Sequence, residues 1–449
     1  MPDLSPEISQ RIAQHHIEGL ALDVDMRLPF YEGLSLVNIP GSVARLLGTP
    51  DFGKPPLDEA LLSQLNGQYQ KIILLVVDAM GYTLFNRMLD PERGLAWGKY
   101  FDHAVYAPLT SVCPSTTASA LTTLWTGQGP GTHGIIGYEM WAKEFGMVIN
   151  NIRHSAASSR GDTGGLARSG FDPYEFLDQP LLGQHLQSHG VRATGFIHSS
   201  IARSGLSTMQ MVDVNLQTYV DEADLCVSLA DFVNSRPGIR EYIYLYYSDV
   251  DTLMHRYNAD DARIDYQFEA FSRIFEKAFL NKVSQTAAKD ALLVMVADHG
   301  SKATPKYPAY DLANHPDFLD LLVMQPTCEN RLAFFYIKPG KIQAVRDYFA
   351  AHWPEDFLLF EPGTALRLGL FGNGPFHPRA EERLGDLIAV AKNDAYLWWA
   401  PKPNPLAGRH GGLSDEEMLV PFYALPLADV ARTLVRSCPG FYQEHRKIH

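Results

Sequence analysis

The sequence predicts an α/β fold in which a mainly parallel central sheet is sandwiched between helices. Three continuous apolar runs carry that expectation: Ile72 to Val77 (IILLVV), Tyr242 to Tyr247 (YIYLYY) and Ala291 to Ala297 (ALLVMVA). Each has strand length and none alternates apolar with polar, the pattern of parallel strands buried on both faces. Val191 to Ile197 is a weaker fourth strand, and helix-like stretches at Asp221 to Asn234 and Ala262 to Lys282 lie between the runs. Strands alternating with helices make a helix–sheet–helix sandwich. After Ala297 the texture changes. The stretch from Thr304 to Ala400 is rich in Pro and Gly and contains one strand-like run, Leu332 to Ile337, before an apolar run returns at Leu419 to Leu425. We therefore expect a catalytic core over 1–303 and 401–449, with 304–400 inserted as a smaller α+β cap subdomain.

A chain of 449 residues that is 46% apolar can bury a large core, so global disorder is excluded. Its net charge of −13 argues against binding a nucleic-acid polymer, which needs basic residues to neutralise phosphates. No apolar run approaches the ~18 residues of a membrane span. The first residues, MPDLSPEISQRIAQHH, lack the basic and apolar regions of a secretory signal. The four cysteines are scattered, with no C-x-x-C pair, so neither a disulfide framework nor a Cys-type zinc site is indicated. A soluble, cytoplasmic protein is the expectation.

Each of the three strong strands ends in carboxylates: Asp78, then Asp249 and Asp251, then Asp298. In an open parallel sheet that edge is where ligands bind. A single strand-end Asp is best read as a helix cap or turn residue. Three at once, with histidines attached, point instead to a shared cation. Asp251 and His255 stand four apart, on one face if helical; Asp298 and His299 are adjacent; His410 lies in the Gly-flanked loop GRHGGLS. Mixed Asp and His donors suit zinc, or manganese in an oxygen-rich site. The hydroxyl-rich segment SVCPSTTASALTTLWTG from Ser111 reads as a capped helix with Ser115, Thr116 or Thr117 at its start. Such a start suits a phosphate, and a hydroxyl held on a metal becomes a nucleophile. No G-x-S-x-G elbow, Walker G-K-[ST] or dinucleotide fingerprint is present.

The order VVDAMG, PSTTASALTTLWTG, HGI, DVDTLMH, ADHG and RHGG resembles the alkaline-phosphatase superfamily, in its nucleotide pyrophosphatase/phosphodiesterase branch. The resemblance runs from about Ile72 to Phe422. It implies one metal on Asp78, Thr117, Asp298 and His299, and a second on Asp251, His255 and His410, two divalent ions with zinc favoured and manganese the alternative. It implies Thr117 as nucleophile, forming a phospho-threonine, with Ser115 and Thr116 one slip away. Asp249 is not a ligand in this assignment, and His133 is structural. Where many relatives hold a phosphate-binding Asn, this chain has Tyr138. The sulfatase signature C-x-[P/A]-x-R is absent, since Pro114 follows Cys113 directly. The implied activity is a two-metal phosphodiesterase or nucleotide pyrophosphatase acting on a small-molecule phosphate ester. A phosphomonoesterase, a phosphonate or sulfate ester hydrolase, and a metal-stabilised non-catalytic binding protein are the alternatives. No Lys or Arg occurs between Ser111 and Gly127, which favours a singly charged diester over a monoester dianion.

Overall fold

The structure, a computed structural model, describes residues 3–18, 22–65, 67–159 and 162–437. The first strands are β1 (Lys71–Val77), β2 (Val105–Thr110), β3 (Glu139–Ala142), β4 (Met147–Asn150), β5 (Ser155–Ala156), β6 (Arg192–His198), β7 (Asn215–Tyr219) and β8 (Glu241–Tyr247). They are followed by β9 (Ala291–Val296), β10 (Lys302–Ala303), β11 (Thr327–Glu329), β12 (Leu332–Phe335), β13 (Phe357–Phe360), β14 (Leu387–Ala391), β15 (Gly408–Arg409) and β16 (Leu419–Pro426).

Seven of these form the central sheet in the order β2-β16-β9-β1-β8-β6-β7. All run in one direction except β16, which is antiparallel to both its neighbours. Every residue of β1, β8 and β9 is buried, which is why their sequences show no polar alternation. Helices cover both faces, and β8 shows how. Its even residues Tyr242 and Tyr244 meet Trp125 on the helix Thr117–Thr126, while Tyr247 stacks on Phe271 of the helix Ala262–Ile274 from the other side. Trp125 is thus a core residue.

Asp221 caps the helix Glu222–Asn234, and Asp261 caps Ala262–Ile274. The second helix does not continue unchanged to Lys282. Phe275–Leu280 widens into a π-helix; Phe271 stacks on Phe275, Phe279 packs on Phe275 at a tilt, and all three are fully buried. Widening by one residue per turn keeps these rings on the core side. Strand β2 escapes the sequence pattern because Pro108 interrupts it. Pro108 lies opposite Pro421 of β16, and neither has an N–H to donate. The pair is tolerated because β2 is an edge strand and β16 pairs with β9 only from Phe422 onward.

A second, antiparallel sheet runs β13-β14-β12-β11-β3-β4-β5. Four of its strands come from the 304–400 stretch and three from residues 139–156, joined by the pairing of Cys328 with Glu139. Arg331 ties this sheet to the core. Its guanidinium makes a fully buried two-pronged ion pair with Glu417, at 2.8 and 3.0 Å, and also donates to the carbonyls of Asn393 and Ala395. Glu417 in turn accepts the N–H groups of Gly412 and Ser414, so the same carboxylate fixes the loop that carries His410. Among the described residues no helix is long and apolar enough to cross a membrane. Cys113, Cys226 and Cys328 are free and buried; Cys438 lies outside the described residues.

Candidate active site

The parallel strands deliver their carboxyl ends to one place. Asp78 directly follows β1, and Asp298 and His299 follow β9. Asp251 and His255 sit on the helix Asp249–Tyr257 that leaves β8, and Thr117 is the first residue of the helix that follows β2. His410 arrives from far along the chain. The short strand β15 pairs with β10, just after His299, and sets Arg409 opposite Lys302. Gly300 is required here because a Cβ would run into the carbonyl oxygen of Glu416.

Two overlapping clusters result, Asp78 with Asp298 and His299, and Asp251 with His299 and His410; within each cluster the donor atoms lie within 4.8 Å of one another. His299 Nε2 stands 3.5 Å from Asp78 Oδ1 and 3.5 Å from Asp298 Oδ2. Asp251 Oδ1 lies 3.4 Å from His255 Nε2 and 3.9 Å from His410 Nε2. The rings of His299 and His410 stack with centroids 3.9 Å apart.

The donor chemistry fits divalent cations. Asp78 Oδ1, Asp251 Oδ1 and Asp298 Oδ2 are buried and, among the described residues, have no hydrogen-bond partner, although buried polar atoms are normally satisfied. Their sister oxygens are occupied where it matters for orientation: Tyr246 donates to Asp78 Oδ2, and the N–H groups of Ala79 and His299 donate to Asp298 Oδ1. The histidines are oriented in the same sense. The Nδ1 of His255, His299 and His410 faces the carbonyls of Gly408, Gly300 and Ser115 at 3.1, 2.9 and 3.1 Å. A carbonyl only accepts, so each Nδ1 carries the proton and each Nε2 presents its lone pair to the carboxylates. Burial, then the charges of Asp298 and Asp251, push the Asp78 carboxyl well above its usual range. Burial also raises Asp298, and burial with His299 and His255 pushes His410 well down. Carboxylates held this close and this dry stay ionised together only around positive charge.

The three hydroxyls of the Pro114 loop have different partners. Ser115 donates to the Gly412 carbonyl and accepts from the Gly411 N–H. Thr116 donates to Glu329 at 2.5 Å. Thr117 Oγ1 stands 3.2 Å from His299 Nε2, at the clusters. Asp249 points elsewhere: it is half-buried and raised by burial and by Glu222. His133 is fully buried against Thr123, and burial lowers it to about 3.

A cavity of about 450 Å³ opens over this edge, and its lining includes Thr117, Asp251, His255, His410, Tyr138 and Asn150. Residues 328–330 and 398–400 line it as well, among them Glu329, Trp398 and Trp399. The sequence reading missed these three. The WW pair just before a Pro-rich turn was the signal for the tryptophans. Nothing local marks Glu329, which burial pushes up to about 8. Arg153 and Lys402 also line the cavity and are exposed.

The model of the type I phosphodiesterase / nucleotide pyrophosphatase family matches residues 72–413, most of the chain. The chain belongs to that family. Membership places it in the alkaline-phosphatase superfamily and makes it a hydrolase of that type. Solved structures agree in fold. Murine ectonucleotide pyrophosphatase/phosphodiesterase 5 matches with a TM-score of 0.59 at 16% identity, over 82% of this chain and 95% of that one. Phosphonoacetate hydrolase from Sinorhizobium meliloti 1021, in complex with phosphonoformate, matches with a TM-score of 0.56 at 18% identity, over 81% and 94%. Human ectonucleotide pyrophosphatase/phosphodiesterase 5 matches with a TM-score of 0.59 at 15% identity, over 82% and 95%. No curated protein matches the chain.

Proposed function

We propose that this family member is a two-metal phosphoric ester hydrolase that prefers diesters or pyrophosphates and works through a phospho-threonine at Thr117. The observation that carries this is the set of three unpartnered carboxylate oxygens facing three histidine Nε2 atoms, with the Thr117 hydroxyl beside them. Asp78, Thr117, Asp298 and His299 would hold one divalent ion and Asp251, His255 and His410 the other, zinc before manganese. Bound there, such ions lower the pKa of a hydroxyl and neutralise phosphoryl oxygens.

The chain's own groups do the rest. Thr117 Oγ1 attacks phosphorus; an Oγ1–P bond forms as the P–O bond to the leaving group breaks. The free N–H groups of the first helical turn face the phosphoryl oxygens. The phenol of Tyr138, in the same cavity, supplies a further donor. Water entering on the side of Asp251, His255 and His410 then cleaves the Oγ1–P bond and regenerates Thr117. Trp398 and Trp399 form the wall against which a substrate side group packs.

Two positive ions and neutral N–H donors suit one negative charge better than two, and no basic residue stands beside Thr117 in its own segment. Matched aryl diester and aryl monoester substrates, with the same leaving group, test this. The diester should show the higher kcat/KM, and a clear monoester preference would replace this assignment with a phosphatase. A phosphonate carrying a carboxylate belongs in the same panel, because Arg153 and Lys402 line the cavity.

A further inference from the structure

The helix that begins at Thr117 should be capped, and it is not. Thr116 occupies the cap position with the extended backbone of an N-cap (φ −142°, ψ 148°), and Thr is a favoured cap residue. Its hydroxyl would ordinarily accept the N–H of Ala118 or Ser119, two of the donors that a helix start leaves unsatisfied. No such bond exists. The Thr116 hydroxyl is turned the other way and donates to Glu329 Oε1 at 2.5 Å. Among the described residues the N–H groups of Thr117, Ala118 and Ser119 have no acceptor, while Ala120 already bonds the Thr116 carbonyl at 2.9 Å.

Glu329 is well placed to hold the hydroxyl away. It ends β11, whose neighbour Cys328 pairs with Glu139. Its stem lies against Gly411, where a Cβ would collide with it. Strand pairing and the close approach of Gly411 thus place the side chain toward Thr116, and it lines the cavity together with Thr116 and Thr117.

From this geometry we propose that Glu329 is a positioning residue that keeps the nucleophile helix uncapped. By binding the Thr116 hydroxyl it reserves the first-turn N–H groups for the phosphoryl oxygens of the substrate. The role rests on the phosphoryl-transfer reading above, but it concerns anion binding as such and is measurable without turnover.

The experiment compares zinc-loaded wild type, Glu329→Ala, Glu329→Gln and the double variant Glu329→Ala/Thr116→Ala. Two readouts are taken: inorganic phosphate affinity by calorimetry, and kcat on an aryl phosphodiester. In Glu329→Ala the freed hydroxyl caps the helix and competes with the anion. Phosphate affinity should fall about fivefold, the worth of a typical cap, and kcat by up to about a hundredfold, the worth of one oxyanion donor. Removing the competing hydroxyl in the double variant should restore both, although it deletes more of the structure. Glu329→Gln keeps an acceptor oxygen in reach and should lose less than Glu329→Ala. A double variant no better than Glu329→Ala would overturn the proposal, because a merely structural contact cannot be rescued by a second deletion. So would unchanged phosphate affinity in Glu329→Ala, or a wild type that binds no phosphate. If the wild type binds phosphate but cleaves no ester, the hydrolase reading fails and the order of phosphate affinities alone decides the role of Glu329.

Discussion

Thr117→Ala is expected to remove turnover of an aryl phosphodiester, by at least ~10³-fold, while leaving the fold intact; losses of that order follow removal of a covalent nucleophile. No neighbour is free to replace it. Ser115 is committed to Gly411 and Gly412, and Thr116 to Glu329. The fold should not suffer, because Thr117 is the first helical residue rather than the cap, and Ala is the better helix former. Thr117→Ser keeps an Oγ and should retain part of the rate. Circular dichroism checks the fold and steady-state kinetics the activity. Near-normal turnover in Thr117→Ala would exclude the phospho-threonine.

Asp298→Asn is expected to lower bound metal and activity together, yet to raise the stability of the metal-free protein. The amide oxygen can still accept the N–H groups of Ala79 and His299 that now meet Oδ1. What disappears is a buried charge next to Asp78, whose carboxyl is already pushed up by burial and by Asp298 itself. Removing a buried like charge relieves the metal-free state, while removing an anionic donor weakens the metal-bound one. Elemental analysis, and melting temperatures with and without a chelator, separate the two effects. A variant with full metal content, or one destabilised equally in both conditions, would make Asp298 a structural residue.

The central sheet was legible because burial on both faces writes itself into the sequence as unbroken apolar runs. The strand-end carboxylates were legible because parallel strands deliver their carboxyl ends to one edge, and the structure brings Asp78, Asp251, Asp298 and their histidines together there. The edge strand β2 was hidden by Pro108, which only its pairing opposite Pro421 explains. The second sheet was hidden more deeply. It is assembled from short strands at 139–156 and 327–391, and nothing local announces that Cys328 will pair with Glu139. For the same reason Glu329 could not be found. Its importance lies in reaching Thr116 across 213 positions, a contact without periodicity or spacing to betray it. Trp398 and Trp399 were visible as residues but not as a wall, since their place depends on how that stretch folds back over the cavity.

The most direct measurement strips the protein of metal, confirms the removal by elemental analysis, and titrates zinc back while following hydrolysis of an aryl phosphodiester. The account predicts no turnover in the metal-free protein and full turnover at two equivalents per chain. A demonstrably metal-free sample that hydrolyses the diester at the full rate would contradict it.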